Sequence, residues 1–211
     1  RSTLSELSLV WCGAEDFYPA SIVWFDSKEV RDVLGSEIKI AQLPIEMSEA
    51  IREFYLWIGV SPEPEPKDIV KRIKKIVEGF PNSENVPLIG RLINFIATKW
   101  VFWVDEEKEQ FNPLLNLNWL PGIKDESKWF NAHEVYSIYS SFLFESQGNF
   151  LNVERKVQQN ANELFKFLGI ESEPTPDLVV RHLLHSSLNR KPITQEVYVY
   201  LSRNIEDPAI E

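Results

Sequence analysis

The chain repeats itself. Gly59 and Gly169 each close an aromatic, apolar segment, and each is followed by a Pro-x-Pro pair, Pro64 and Pro66 or Pro174 and Pro176, at a constant offset of 110 residues. Between residues 53–75 and 163–185 the identities are Glu53/Glu163, Gly59/Gly169, Glu63/Glu173, Pro64/Pro174, Pro66/Pro176 and Val70/Val180, and pairs such as Ile69/Val179 and Lys71/Arg181 are conservative. Copies of one supersecondary unit bury their faces against their neighbours and build an extended surface, where a single-core fold would hollow out one pocket. Duplication therefore predicts a mainly α chain made of two tandem helical units.

The helical stripe is duplicated along with its landmarks. Val153, Val157, Ala161, Leu164 and Leu168 fall at helical spacing, and the same offset lands on Leu43, Met47, Ile51, Phe54 and Ile58. Gly59 and Gly169 then serve as left-handed caps. Thr175-Pro176-Asp177 reads as N-cap, first-turn proline and dipole-favoured acid, opening a helix through Leu188, and Glu65-Pro66-Lys67-Asp68 opens its counterpart, which ends near Gly79. A fourth helix follows Thr194 with Val197, Tyr198, Leu201 and Ile205 inward; Leu88, Ile89, Leu92 and Ile96 are its counterparts at an offset of 109. Upstream, Trp100 to Val104 and Gln110 to Phe111 predict a hairpin about the turn Asp105-Glu106-Glu107-Lys108, followed by a short helix from His133 to Phe144 carrying Val135, Ile138, Tyr139 and Phe142. Each unit is thus about four helices behind a short β-hairpin, with boundaries at 1–98 and 99–211. The first unit retains only the hairpin tail Leu9-Val10-Trp11. From Arg1 to the tail Asp207-Pro208-Ala209-Ile210-Glu211, the chain reads as a piece of a longer protein.

Composition narrows the partners. A net charge of −10 repels a phosphate backbone and argues against nucleic acid. The single cysteine, Cys12, can form neither an internal disulfide nor a zinc site, which points to a reducing, cytoplasmic setting. No stretch approaches the roughly 20 apolar residues of a spanning helix, so the chain reads as soluble, without a membrane partner.

Chemistry-bearing residues are sparse. His182 and His185 stand three apart on a helix and could share a metal, but no carboxylate or cysteine supports them, and Arg72 and Lys75 replace them in the first copy. Glu106/Glu107 and Glu171/Glu173 lie in turns and read as solvated. Ser140-Ser141 and Ser186-Ser187 lack a nucleophile elbow, and the 8 glycines form no phosphate cradle. Neither catalytic residue, metal nor cofactor is assigned. The residues predicted to bind a partner are cationic and aromatic. Lys71, Arg72, Lys74 and Lys75, with Lys67, lie opposite Ile69, Val70, Ile73, Ile76 and Val77 and offer a basic strip to an acidic protein. Among 7 tryptophans, Trp11/Trp119 and Trp57/Phe167 recur between copies and read as anchors, whereas Trp103 and Trp129 lack a counterpart and read as exposed binding residues.

One set of motifs resembles a known family. Tyr18-Pro19-Ala20-Ser21-Ile22-Val23-Trp24 and Phe130-Asn131-Ala132-His133-Glu134-Val135-Tyr136, the Phe-Leu-Gly-Ile close at 167–170, Pro-x-x-Val-Val-x-His-Leu-Leu at 176–184 and Glu196-Val197-Tyr198 resemble the helical regions of sacsin-like and NO VEIN-like proteins. That resemblance implies a large parent with a GHKL-type ATPase module towards its N-terminus, followed by regions of this kind. It carries over no catalytic residue. Two classes of function stay open: a non-enzymatic scaffold or protein-sensing module for an ATPase elsewhere in the parent, and a hydrolase or nuclease-linked domain with its site in the cleft between the two units.

Overall fold

The computed structural model describes residues 2–13, 16–43, 48–79, 82–125 and 128–204. Met47, Ile205 and the Asp207–Glu211 tail lie outside them. The fold is mainly helical with short strand pairs. In order, the described elements are α1 (Ser2–Ser5), the antiparallel pair β1 (Ser8–Trp11) and β2 (Phe17–Pro19), β3 (Val23–Trp24), α2 (Lys28–Leu34), β4 (Lys39–Ile40), α3 (Glu49–Ile58), α4 (Pro66–Glu78) and α5 (Val86–Lys99). Then follow α6 (Asp105–Lys108), the antiparallel pair β5 (Leu120–Pro121) and β6 (Trp129–Phe130), α7 (Ser141–Phe144), α8 (Arg155–Asn160), α9 (Asn162–Leu168), α10 (Pro176–Leu188) and α11 (Gln195–Arg203).

Backbone hydrogen bonds repeat between the copies nearly one for one. Trp11 O accepts from Gln42 N at 2.9 Å, as Pro121 O does from Asn152 N at 2.8 Å. Trp24 O accepts from Ala41 N, and Tyr136 O from Leu151 N, each at 3.0 Å. Ser61 O accepts from Phe25 N, and Glu171 O from Ser137 N, again at 3.0 Å. At the helix ends Val60 N donates to Tyr55 O and Ile170 N to Phe165 O, with Gly59 at φ 112° and Gly169 at φ 77°. Only a residue at ease with positive φ closes these helices, which is why glycine marks the repeat.

The cores correspond in the same way. The first copy buries Val10, Ala20, Val23, Phe25, Ala41, Ile58 and Val60 as one cluster. Their hydrogen-bond equivalents Leu120, Ala132, Val135, Ser137, Leu151, Leu168 and Ile170 are all buried too. A hairpin, a parallel strand contact and one capped helix thus enclose the same seven positions twice. A second buried cluster, Leu143, Phe144, Phe150, Val179 and Val197, joins α7, α10 and α11.

The chain separates into two compact units, Arg1–Arg72 and Ile73–Glu211. The packing boundary falls inside α4, whereas the sequence repeat leads one to expect a boundary between 98 and 99. The two differ because α5, the last helix of the first copy, packs against α8 and α9 of the second. Covalent order and packing partnership are displaced by one helix.

Several local expectations are corrected. Residues 100–111 form no hairpin: after α5 the chain turns at Val101–Trp103, then makes α6 and a 3-10 stretch, Glu109–Leu114. Asp105, Glu106 and Glu107 load the first turn of α6, and the Glu107 carboxylate accepts from Val104 N at 2.9 Å, so acidic capping outweighs β propensity. The true hairpin pairs Leu120 with Phe130 and Pro121 with Trp129. The first copy's hairpin is complete, pairing Val10 with Tyr18 and Trp11 with Phe17. The helix expected from His133 to Phe144 is broken by extended Val135 and Ser137, because Tyr136 N donates to Asn149 O. The Val153–Leu168 helix bends at Ala161 into α8 and α9. Its Ala161, Leu164 and Leu168 are buried, but in the first copy Phe54 is 52% exposed.

Candidate functional site

The basic strip on α4 is real but narrower than the sequence suggests. Lys71, Lys74 and Lys75 are exposed. Arg72 turns inward: it follows Ile69 by three and precedes Ile76 by four, and both are buried, so helical periodicity draws its stem to the inner side. A Cβ added at Gly35 would lie 2.7 Å from an Arg72 guanidinium nitrogen, and Arg72 Nε is buried without a hydrogen-bond partner. Arg72 is a packing residue. Lys67 pairs with Glu65 at 2.6 Å and its ammonium is held above the usual lysine range by that bond.

Trp129 is also corrected. It is 4% exposed and sits opposite Pro121 in the β5–β6 hairpin, where Phe17 stands in the first copy. The two registers make Pro121 the counterpart of Trp11, so Trp119 corresponds to Leu9; Trp119 is fully buried and donates from Nε1 to Leu114 O at 3.1 Å. Trp103 is half-buried in an aromatic cluster, 5.3 Å from Phe111, 6.4 Å from Phe95 and 6.5 Å from Trp100 between ring centroids. The residues that do face solvent are its neighbours Val101, Phe102 and Val104, with Phe102 76% exposed. Sequence reasoning took the whole run for a strand, and the signal that separates them is that Trp103 follows Trp100 by three while Phe102 does not.

A second apolar surface lies on α3. Phe54 and Trp57, one helical turn apart, are each about half exposed with ring centroids 6.2 Å apart, and Tyr55 meets Phe54 edge-on at 6.1 Å. Ser48 caps this helix, its Oγ accepting from Ile51 N at 3.3 Å. Large apolar side chains clustered on an exposed helix face mark an interaction surface.

Two polar sites were tested for chemistry. Ser146 Oγ lies 2.8 Å from His182 Nδ1, a nucleophile-to-base separation that sequence reasoning missed, since the two stand 36 positions apart. However, Ser146 N donates to the same Nδ1 at 3.4 Å, and burial holds the imidazole below its ordinary range despite nearby Glu145. His182 acts there as a neutral acceptor that closes the turn after α7. The other site is an open cleft of about 250 Å³ lined by Cys12, Tyr18, Arg31, Lys39 and Gln42. Burial pushes the Cys12 thiol up in spite of Lys39, which opposes activation of the sulfur. Lys39 Nζ sits 4.4 Å from the Tyr18 ring centroid, a cation–π contact. Among the described residues, no group of three or more His, Cys, Asp or Glu could hold a metal, His182 and His185 included, and no helix is long and apolar enough to cross a membrane.

Comparison of the chain with known protein families, with curated proteins and with solved structures yields no match.

Proposed function

We propose that this chain is a non-enzymatic repeat module that binds protein partners, acting as scaffold or sensor within a longer cytoplasmic protein. The observation that carries this is the placement of its exposed apolar groups. Phe54 and Trp57 on α3, Phe102 beyond α5, and Leu184 and Leu188 on α10 all face solvent on ordered elements. Apolar groups presented on a formed helix, as on α3 and α10, are preorganised for contact and lose little entropy on binding. The cations Lys71, Lys74 and Lys75 add directional attraction towards an acidic surface. The sacsin-like resemblance supports the same role in service of an ATPase elsewhere in the parent chain.

A hydrolase reading other than the expected cleft site would draw on Ser146 and His182, both within the second unit, and the acceptor role of Nδ1 towards a backbone N–H weakens it. The test is capture of partners from a native lysate by the chain, compared with a triple charge reversal at Lys71, Lys74 and Lys75 and with Phe102→Asp. Loss of specific partners in either variant is the expected result. Unchanged capture by both, or turnover of ATP or DNA by the purified chain that Ser146→Ala abolishes, overturns the proposal.

A further inference from the structure

We infer that the exposed face of α3 is the seat of an amphipathic helix of the α5 type, supplied by a further copy of this same repeat. The inference rests on the interaction-module proposal and names the partner for one of its surfaces.

The second copy shows how the face is used. There α5 packs against α8 and α9, which hold the positions equivalent to α3. Under that cover Leu164 is 1% exposed and Phe167 half-buried, its ring centroid 5.1 Å from that of Trp100 at the end of α5. The equivalent residues, Phe54 for Leu164 and Trp57 for Phe167, keep the apolar character and are 52% and 49% exposed. The backbone hydrogen bonds at Gly59 and Gly169 and the buried positions Ile58 and Leu168 behind the face recur in both copies. What differs is the covering helix.

Its chemistry can be read from α5. That helix, VPLIGRLINFIATK, buries Ile89, Leu92, Ile93, Phe95 and Ile96 and carries Arg91 and Lys99 with no acid. Glu49 and Glu53 on α3 complement it. Gly90 of α5 lies beside Val153: a Cβ there would sit 3.8 Å from Val153 Cγ1, an ordinary van der Waals contact. The chain's own terminal helix does not fit the description. At the 109-residue offset α11 carries Val199 in place of Gly90, and Tyr198, 54% exposed, in place of the buried Ile89. The occupant is therefore a helix with the apolar stripe of α5, and α11 of a second molecule, with Tyr198 in place of Ile89, is a poor substitute.

The test repeats residues 82–100 ahead of Arg1, joined by a flexible linker of about 20 residues, which keeps the local concentration near millimolar. Hydrogen exchange and thermal unfolding are compared with the parent chain. The expected result is at least about tenfold slower amide exchange across residues 50–58 and a raised Tm. Phe54→Asp in the tethered chain removes both gains, and in the parent chain leaves Tm unchanged because the side chain is exposed. Ile93→Asp in the added copy alone also removes them, because that side chain belongs to the buried stripe of α5. Unchanged exchange at 50–58, or equal protection in the Phe54→Asp chain, overturns the inference. So does concentration-dependent self-association of the parent chain that protects the same residues, which makes the occupant a second molecule. Failure here with continued partner capture from lysate leaves the module proposal standing, whereas turnover of ATP or DNA removes that proposal and leaves this one.

Discussion

The α3 helix and the α8–α9 segment share a register, a glycine cap and a buried floor, yet one shows aromatic rings to water and the other hides its stripe. Ile58 and Leu168 are 2% and 1% exposed, so the inward edge is equally closed in both. One turn earlier Phe54 and Leu164 part company: Leu164 lies where α5 packs on α8 and α9 and is 1% exposed, and Phe54 is 52% exposed. The lesson is about how burial is decided in a repeat. Residues that face the copy's own hairpin are fixed by the copy, while residues that face outward take their environment from whatever helix comes next.

The largest effect that bears on this comparison is at Leu164. Truncation to Ala should cost about 2 to 5 kcal/mol through lost burial and an unfilled cavity, whereas Phe54→Ala should cost under about 1 kcal/mol. Urea unfolding of both variants measures the pair. Equal losses would mean that α3 is covered in solution and that the contrast between copies is false.

Next comes a polar clamp that only the second copy owns. Gln158 is fully buried; its Nε2 donates to Val153 O at 2.7 Å and Leu151 O at 3.2 Å, and its Oε1 accepts from Ile138 N at 3.0 Å. Ser48 stands at the equivalent place and is exposed. Gln158→Ala leaves three backbone groups without that partner and should cost about 2 to 4 kcal/mol, while Ser48→Ala loses only a helix cap, about 1 kcal/mol. Differential scanning calorimetry on the two variants separates a clamp from a cap. Comparable shifts in Tm would show that Gln158 is replaced by water.

How much of this was legible in the sequence follows the same division. Gly59, Gly169, Pro66 and Pro176 act through their own backbones, so the caps and the starts of α4 and α10 were readable from those residues alone. The core stripe of the second copy was readable because 3.6-residue periodicity reports a buried face. Phe54 was misjudged since periodicity shows that a face is apolar and says nothing of whether a neighbour covers it. The run Trp100–Val104 was misjudged because strand propensity is weak against the capping acids of α6. Trp129 and the Ser146–His182 contact depend on pairing across many residues, which no local pattern encodes. Of the predicted binding strip, Lys71, Lys74 and Lys75 followed from the wheel of α4, and Arg72 was lost at its border.

A smaller contrast lies in the caps. Both glycines have positive φ, so alanine at either should cost roughly 1 kcal/mol in backbone strain. The surroundings then separate them. A Cβ at position 169 would lie 2.9 Å from His133 Cε1, and one at position 59 lies 3.3 Å from Ser5 Cβ. Gly169→Ala should therefore be the more damaging in chemical denaturation, and the reverse order would show that α1 is held more firmly than His133.

The smallest expected effect is a dependence on pH that the first copy lacks. Arg72 and His182 occupy equivalent positions, and only the second can lose its charge near neutrality. Burial is the main cause that holds the His182 imidazolium below its ordinary range, with Glu145 opposing and His185, Lys124 and Lys191 reinforcing. Because the folded state prefers the neutral ring, the unfolded chain takes up the proton first. Stability from this group is complete above about pH 6.5, the unfolded value, and is lost as pH falls through the lower folded value. Protonation also removes the acceptor that Ser146 N and Oγ share. Urea midpoints from pH 7.5 to 5 should fall more steeply for the natural chain than for His182→Gln, whose amide oxygen still accepts but does not titrate. Parallel curves would place the pH dependence elsewhere and leave His182 with a purely steric part in the second copy.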